Sequence, residues 1–288
     1  MLSALERWQS MIDARAHQMD TAYAHLGRDS ADFWDRRARG FHRATKDLTT
    51  SDPFYLRLRE ALNPGMRVLD VGAGTGRFSL PLAELAQQVT VVEPNASMLG
   101  YLRQDAAARH LSNITYIQTG WETAPDDVQA DLVICSHVLY PIRDIVPFLS
   151  KLLHATLHTC FIYMRGQHFD ELTSDLWRHF HAEPRYLSPS YIHALDVLYE
   201  MGVYAHAEIV RAPQSLRYPS LDIAVEEQLE QLILPNNDAT RAELHALLSN
   251  WLIERDGALI LPQEYMVSAI LRIDASDLSP IPIKYTIT

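Results

Sequence analysis

The first 62 residues place apolar side chains at helical spacing and contain no strand-like run. Leu2, Leu5, Trp8 and Ile12 recur at three- and four-residue intervals, which predicts an amphipathic helix. Asn63-Pro64-Gly65 closes this region with residues that favour a turn. Beyond it, short apolar runs alternate with helical stretches. Strands are expected at 66–71, 89–92, 114–118, 131–135 and 159–164, with helices at 77–86, 96–108 and about 142–153. Such alternation predicts right-handed βαβ units and a parallel sheet covered on both faces.

After Arg165-Gly166 the alternation breaks. Residues 170–181 and 190–201 read as helices, the second following Ser188-Pro189. A strand is expected at 203–210, then helices at 221–234 and 238–254, and an alternating closing strand at 265–273. The last two strands are expected as an antiparallel pair at the sheet edge, with a helical segment, 217–260, inserted between them. The predicted organisation is a helical lid over 1–62 and an α/β domain over 63–288. Helical cap insertions fall at about 167–202 and 217–260, and residues 279–288 read as an irregular terminus.

Composition changes this picture little. Of 288 residues, 48% are hydrophobic and 21% charged, as in ordinary globular proteins. No stretch approaches about 18 uninterrupted apolar residues, so no membrane span is expected. Glu6, Arg7, Asp13 and Arg15 interrupt the apolar residues of the N-terminus, which lacks the continuous core of a secretory signal. A cytoplasmic location is the expectation. The net charge of −11 disfavours a broad nucleic-acid surface. Arg36, Arg37, Arg39, Arg43 and Lys46 fall close together but read as the solvated face of a helix. Cys135 and Cys160 each sit in an apolar run and read as buried thiols, with neither a disulfide framework nor zinc spacing.

The chemistry concentrates at Val68-Leu69-Asp70-Val71-Gly72-Ala73-Gly74-Thr75-Gly76. An acidic residue lies near the end of a predicted strand, and three glycines form the turn that follows. Glycine allows positive φ and a close approach of ligand to backbone. The turn feeds a predicted helix N-terminus, whose free N–H groups favour a carboxylate. In an open α/β sheet, ligands bind in the crevice beyond these strand ends. Dinucleotide loops follow G-x-G-x-x-G, which requires glycine at position 77, where this chain has Arg77. Glu93 ends the second strand 17 residues after Gly76, placed to accept hydrogen bonds from ribose hydroxyls.

The run from Asp70 through Gly76 resembles the first motif of the class I S-adenosylmethionine-dependent methyltransferases, in their small-molecule branch. The resemblance covers about residues 66–165 and implies a Rossmann-like α/β sheet of seven mostly parallel strands, with S-adenosyl-L-methionine as cofactor. It implies that Gly72, Ala73, Gly74 and Gly76 wrap the methionine end, with Asp70 coupled to the amino group. It places Glu93 on the ribose, followed by Pro94, and Met98 against the adenine, although Met98 also reads as core. Gly120 stands where the family commonly has an acidic residue. Trp121, Glu122 or the backbone at 120–121 is then left to meet the adenine, with Trp121 equally readable as a core cap. Ser136, His137 and Tyr140, just past the fourth strand, are implied to lie near the sulfonium methyl. Of these, His137 and Tyr140 are the candidate catalytic residues, His137 as a base toward the acceptor or as a packing residue. Trp34 and Arg37 resemble a lead-in helix that closes over the cofactor.

No metal site is expected. His154 and His158 are four apart but run into a strand, and His179 and His181 lack a third ligand. The expected function is methyl transfer to an O, N, S or C acceptor on a small molecule. A homodimer is compatible with the sequence, and a nucleic-acid or membrane partner is not expected. The alternatives are an NAD-type oxidoreductase and a non-enzymatic module on a degenerate fold of this kind.

Overall fold

The structure, a computed structural model, describes residues 2–28, 35, 38–40, 42–43, 51–166, 168–213, 216–263 and 265–278. Trp34 and Arg37 lie outside the described residues. The chain opens with α1 (Ala4–His25) and α2 (Pro53–Ala61). Then come β1 (Arg67–Val71), α3 (Ser79–Ala83), β2 (Gln88–Val92), α4 (Ala96–Ala108) and β3 (Ile114–Ile117). A short 3-10 turn (Trp121–Thr123) leads to β4 (Ala130–Ser136), α5 (Ile145–His154) and β5 (Thr156–Arg165). The distal part comprises α6 (Phe169–Leu172), α7 (Ser174–His181), α8 (Tyr191–Glu200) and β6 (His206–Pro213). It continues through β7 (Arg217–Tyr218), α9 (Leu221–Gln231), α10 (Asp238–Trp251), β8 (Ile253–Arg255), β9 (Ala258–Ile260) and β10 (Tyr265–Asp274).

The main sheet has seven strands in the order β3-β2-β1-β4-β5-β10-β6. β1 pairs in parallel with both β2 and β4, and β4 with β5. β10 runs antiparallel to β5 and to β6, so only β10 is reversed and β6 forms the edge. The chain builds outward from β1 to β3, then returns to β4 on the other side of β1. That reversal between β1 and β4 opens a crevice at the strand C-termini.

Each face of the sheet buries a separate core. On one, Val71, Val133, Cys135 and Leu271 pack with α5, α8 and the start of α1. On the other, Val68, Val89, Ile134 and Tyr163 pack with residues of α2 and α4, including Phe54, Leu58, Leu99 and Leu102. A third cluster joins Trp177, Leu229, Leu244 and Leu248 of the cap helices to Ala22 and Tyr23 at the end of α1. Helix α1 therefore belongs to two cores. Its buried stripe toward the sheet is Ala4, Trp8 and Ile12, and the Trp8 indole donates to the Ile142 carbonyl at 2.7 Å. Leu2, expected in that stripe, precedes the Ser3/Glu6 capping box and is 55% exposed.

Two distal expectations are corrected. The helix expected at 170–181 is two helices, because the chain breaks at Thr173. The segment 217–260 is not wholly helical: β7, β9 and β8 form a second, three-stranded sheet. Asp256 and Gly257 both take positive φ (50° and 69°) in the turn between β8 and β9, as a two-residue hairpin requires. Among the described residues no helix is long and apolar enough to cross a membrane.

The fully buried Asp170 ties these parts together. Its carboxylate receives Arg15 of α1 at 2.7 Å, Arg185 of the 182–190 loop at 2.7 Å, His168 at 3.2 Å and Gln231 of α9 at 3.1 Å. Burial alone would raise its pKa, but Arg185, His168 and Arg15 together hold it well below the usual carboxylate range. A depressed carboxylate stabilises the fold above its unfolded pKa and loses that contribution as pH falls through the folded value. Asp170→Asn is therefore expected to cost about 3 kcal/mol or more near neutrality, by urea unfolding. The gap from wild type should narrow below about pH 4. A loss under about 1 kcal/mol would contradict the assignment of Asp170 as the hub.

Candidate active site

The loop after β1 is shaped by three glycines with positive φ: Gly72 at +74°, Gly74 at +56° and Gly76 at +83°. The first N–H of the loop, from Gly72, donates to the Val92 carbonyl of β2 at 2.8 Å. A Cβ at 72 would stand 2.3 Å from Cγ2 of Val138, and one at 76 would stand 2.7 Å from Cγ of Leu102. Both positions thus require glycine for backbone and for packing. The helix that follows is α3, only five residues long and starting at Ser79. The expected helix at 77–86, with its N-terminus opening at the loop, is replaced by turns through Phe78.

Two buried carboxylates flank the loop. Asp70, on β1 beside Val91 of β2, accepts a hydrogen bond from the Ser79 hydroxyl. Burial, and then the nearby Glu93 charge, push its carboxyl up to about 7, with Ser79 opposing. Glu93 follows β2. One of its oxygens accepts from Gly74 N–H and the other from Asn95 N–H, both at 2.8 Å. Burial raises its pKa, opposed by those two N–H groups. Asn95 in turn caps α4 through Met98 N–H at 2.8 Å. Pro94 is exposed between them, and Met98 is buried.

After β3, Gly120 precedes the 3-10 turn and is half-buried. The Trp121 side chain packs in the sheet core, its indole N–H 3.4 Å from the Phe148 carbonyl. It is therefore held as a core cap. Glu122 is exposed.

On the far side of the crevice, β4 ends at the half-buried Ser136, which pairs with Tyr163 of β5. His137 follows with φ +59°, and its N–H donates to the Tyr163 carbonyl at 2.8 Å. Its Nδ1 lies 2.9 Å from the Tyr140 hydroxyl, which accepts Arg165 N–H at 2.8 Å. Burial pushes the Tyr140 pKa up to about 12, so the phenol keeps its proton. The network assigns that proton to a bond toward His137 Nδ1, which puts the imidazole proton on Nε2. Burial, and then the charges of Arg165 and Arg77, hold His137 neutral, well below its usual pKa. A neutral imidazole in this tautomer offers a donor at Nε2 and has its acceptor occupied, which argues against the base role.

Residues to which the sequence reading gave no role in the site complete it. Arg77 forms a 2.5 Å ion pair with Asp52, the buried N-cap of α2, which accepts Phe54 N–H at 2.8 Å. The residue that departs from the dinucleotide pattern thus ties α2 to the glycine loop. Tyr163 stacks on Phe54 at 4.5 Å and lies 4.7 Å from the His137 ring. Ser79 serves Asp70, and Arg165 closes β5, its pKa lowered by burial. A charged residue ending an apolar strand was the available signal for Arg165.

Among the described residues, His206, Asp274 and Asp277 could offer metal-ligating atoms within 4.8 Å of one another. They sit at the start of β6, the end of β10 and the 3-10 turn after it, at the opposite end of the strands from the crevice. Asp274 is already paired with Arg272 at 2.8 Å. His158 faces Asp131 at 3.6 Å and does not share a helix with His154.

Residues 68–157 match the family profile described as a methyltransferase domain. An uncharacterised protein of Haemophilus influenzae is 28% identical over 214 residues, covering 69% of this chain and 75% of that protein. A 23S rRNA (uracil(1939)-C(5))-methyltransferase of Shewanella is 43% identical over 72 residues, 25% of this chain and 14% of the enzyme. Among solved structures, magnesium protoporphyrin IX methyltransferase of Synechocystis with bound SAH aligns with a TM-score of 0.50 at 14% identity. The alignment covers 90% of this chain and 94% of that one, and at this identity the likeness is one of fold.

Gly72→Ala should destabilise the protein by about 2 kcal/mol or more, from the left-handed backbone and the Val138 clash together. Val138→Ala in the same chain should recover the steric part and leave the backbone part. Additive effects of the two substitutions in urea unfolding would contradict the contact.

Proposed function

We propose that the chain, which matches a methyltransferase domain over residues 68–157 and shares the fold of a solved methyltransferase, is an S-adenosylmethionine-dependent enzyme acting on a small-molecule acceptor. The observation that carries the proposal is the pair of buried carboxylates at adjacent parallel strand ends, Asp70 and Glu93, on either side of three positive-φ glycines. The donor set fits the group: Asp70 suits an ammonium, and Glu93 retains acceptor capacity for a ribose diol. Gly72, Ala73, Gly74 and Gly76 would border the methionine end. Pro94, Met98, Gly120 and Glu122 would border the nucleoside, with Trp121 supporting them from the core.

The cofactor supplies a methyl group on a sulfonium whose leaving thioether needs no protonation. The protein's part is then to hold the acceptor in line and exclude water. Ser136, His137 and Tyr140 stand at the end of β4, across the crevice from the loop. Tyr140 fixes the His137 ring, and His137 presents an N–H donor to the acceptor, which makes it a positioning group. An acceptor that reaches the site already ionised, or with a free lone pair, needs no base from it.

A net charge of −11 supports a small acceptor over a nucleic acid, and the similarity to the rRNA enzyme is confined to 72 residues. An NAD-type enzyme is disfavoured because the third-glycine position of its loop is Arg77, engaged by Asp52.

Calorimetry with S-adenosylhomocysteine tests the reading. The wild type should bind it and bind NAD more weakly. Glu93→Ala should lose about 1.5–3 kcal/mol of affinity. Unchanged affinity in that variant, or tighter binding of NAD, would overturn the assignment.

A further inference from the structure

The β5 side of the crevice holds a buried cation without an anion of its own. Arg165 is 9% exposed, and its guanidinium lies 3.7 Å from the centroid of the Phe169 ring. Among the described residues, no carboxylate forms an ion pair with it. Besides the phenols of Tyr140 and Tyr163, the acidic group that influences it is Asp52, whose carboxylate is taken up by Arg77 and by Phe54 N–H. An uncompensated buried charge is costly, by several kcal/mol in proteins. Elsewhere this chain compensates its buried charge: Asp170 is met by Arg15, Arg185 and His168.

We propose that Arg165 receives an anionic group, a carboxylate or a phosphate, carried by the methyl acceptor. The inference rests on the methyltransferase reading of the crevice and specifies the acceptor's chemistry. A guanidinium fork suits such groups because it offers two parallel N–H donors to two oxygens. Its place in the sheet favours the acceptor over the cofactor. The carboxylates suited to the cofactor lie on β1 and after β2, whereas β5 is two strand spacings from β1 in the other direction, roughly 10 Å. Tyr140 and Tyr163 flank that side, and both are bound into the site through His137 and the Arg165 backbone. The methionine carboxylate of the cofactor is the other source of the same chemistry, and the test separates the two.

The full-length protein is titrated with benzoate, inorganic phosphate and the neutral isostere benzamide, with and without saturating S-adenosylhomocysteine, and followed by NMR shifts. Saturable binding of benzoate or phosphate is expected, at least about tenfold tighter than benzamide and retained when S-adenosylhomocysteine is bound. The better of the two anions distinguishes a carboxylate acceptor from a phosphate one. Arg165→Gln should lose the anion by about tenfold while keeping its affinity for S-adenosylhomocysteine. Binding of neither benzoate nor phosphate more tightly than benzamide, or no saturation by either anion up to roughly 50 mM, would overturn the proposal. So would displacement of the anion by S-adenosylhomocysteine, or a parallel loss of that ligand in the variant, either of which assigns Arg165 to the cofactor's carboxylate. Should the variant fail to fold, the comparison of benzoate and phosphate with benzamide on the wild type decides alone. Failure of the methyltransferase reading registers separately, as absent S-adenosylhomocysteine binding, while the anion titration without that ligand still reads Arg165.

Discussion

The carboxylate of Glu93 holds the crevice together. It spans two backbone donors from different elements, Gly74 of the loop after β1 and Asn95 at the start of α4. Each N–H belongs to a turn that would otherwise leave a polar group buried without a partner. By satisfying both, Glu93 fixes how the glycine loop sits over the end of β2 and where α4 begins. Its charge also raises the Asp70 pKa, so the two carboxylates are coupled. One interaction thereby sets the shape of the loop and part of the electrostatics of the pocket beneath it.

The remaining architecture supports this crevice from both sides. Asp52 and Arg77 tie α2 to the glycine loop, and Phe54 stacks on Tyr163 under the end of β5. Helix α1 joins the sheet core to the cap, with Trp8 in one and Tyr23 in the other. Asp170 gathers α1, α9 and the 182–190 loop around a single buried charge. The cap and the sheet are thus connected by specific charged contacts as well as by apolar area. The crevice divides accordingly: carboxylates on the β1–β2 side, and Arg165 with aromatic rings on the β4–β5 side.

Much of this was legible from local pattern. Strands β1 to β5 fell within a few residues of expectation because short apolar runs alternate with helical ones, and the α4 boundaries agreed at both ends. Glu93 stood out because a strand-end acid after a glycine turn is a local signal. The hairpin at 253–260 is hidden from the sequence although Asp256-Gly257 announces a two-residue turn, because the apolar spacing of α10 runs on to residue 254. The break at Thr173 likewise lay within a continuous helical pattern. Arg165, Arg77 and Asp52 meet from segments far apart in the chain, as do Arg15, Asp170, Arg185 and Gln231. Such clusters are products of packing, and no single stretch of sequence displays them.

On the proposed reading, Asp70 and Glu93 form a coupled acidic pair prepared for a ligand bearing an ammonium and a ribose. Proton release on ligand binding tests it most directly. With the Asp70 carboxyl near 7 in the free protein, an incoming ammonium should favour its ionised form and expel the proton. Calorimetric titration with S-adenosylhomocysteine in buffers of different ionisation enthalpy should show proton release at about pH 6, falling toward zero by about pH 8 and absent in Asp70→Asn. Binding that exchanges no proton at pH 6, or the same release in the Asp70 variant, would contradict the account.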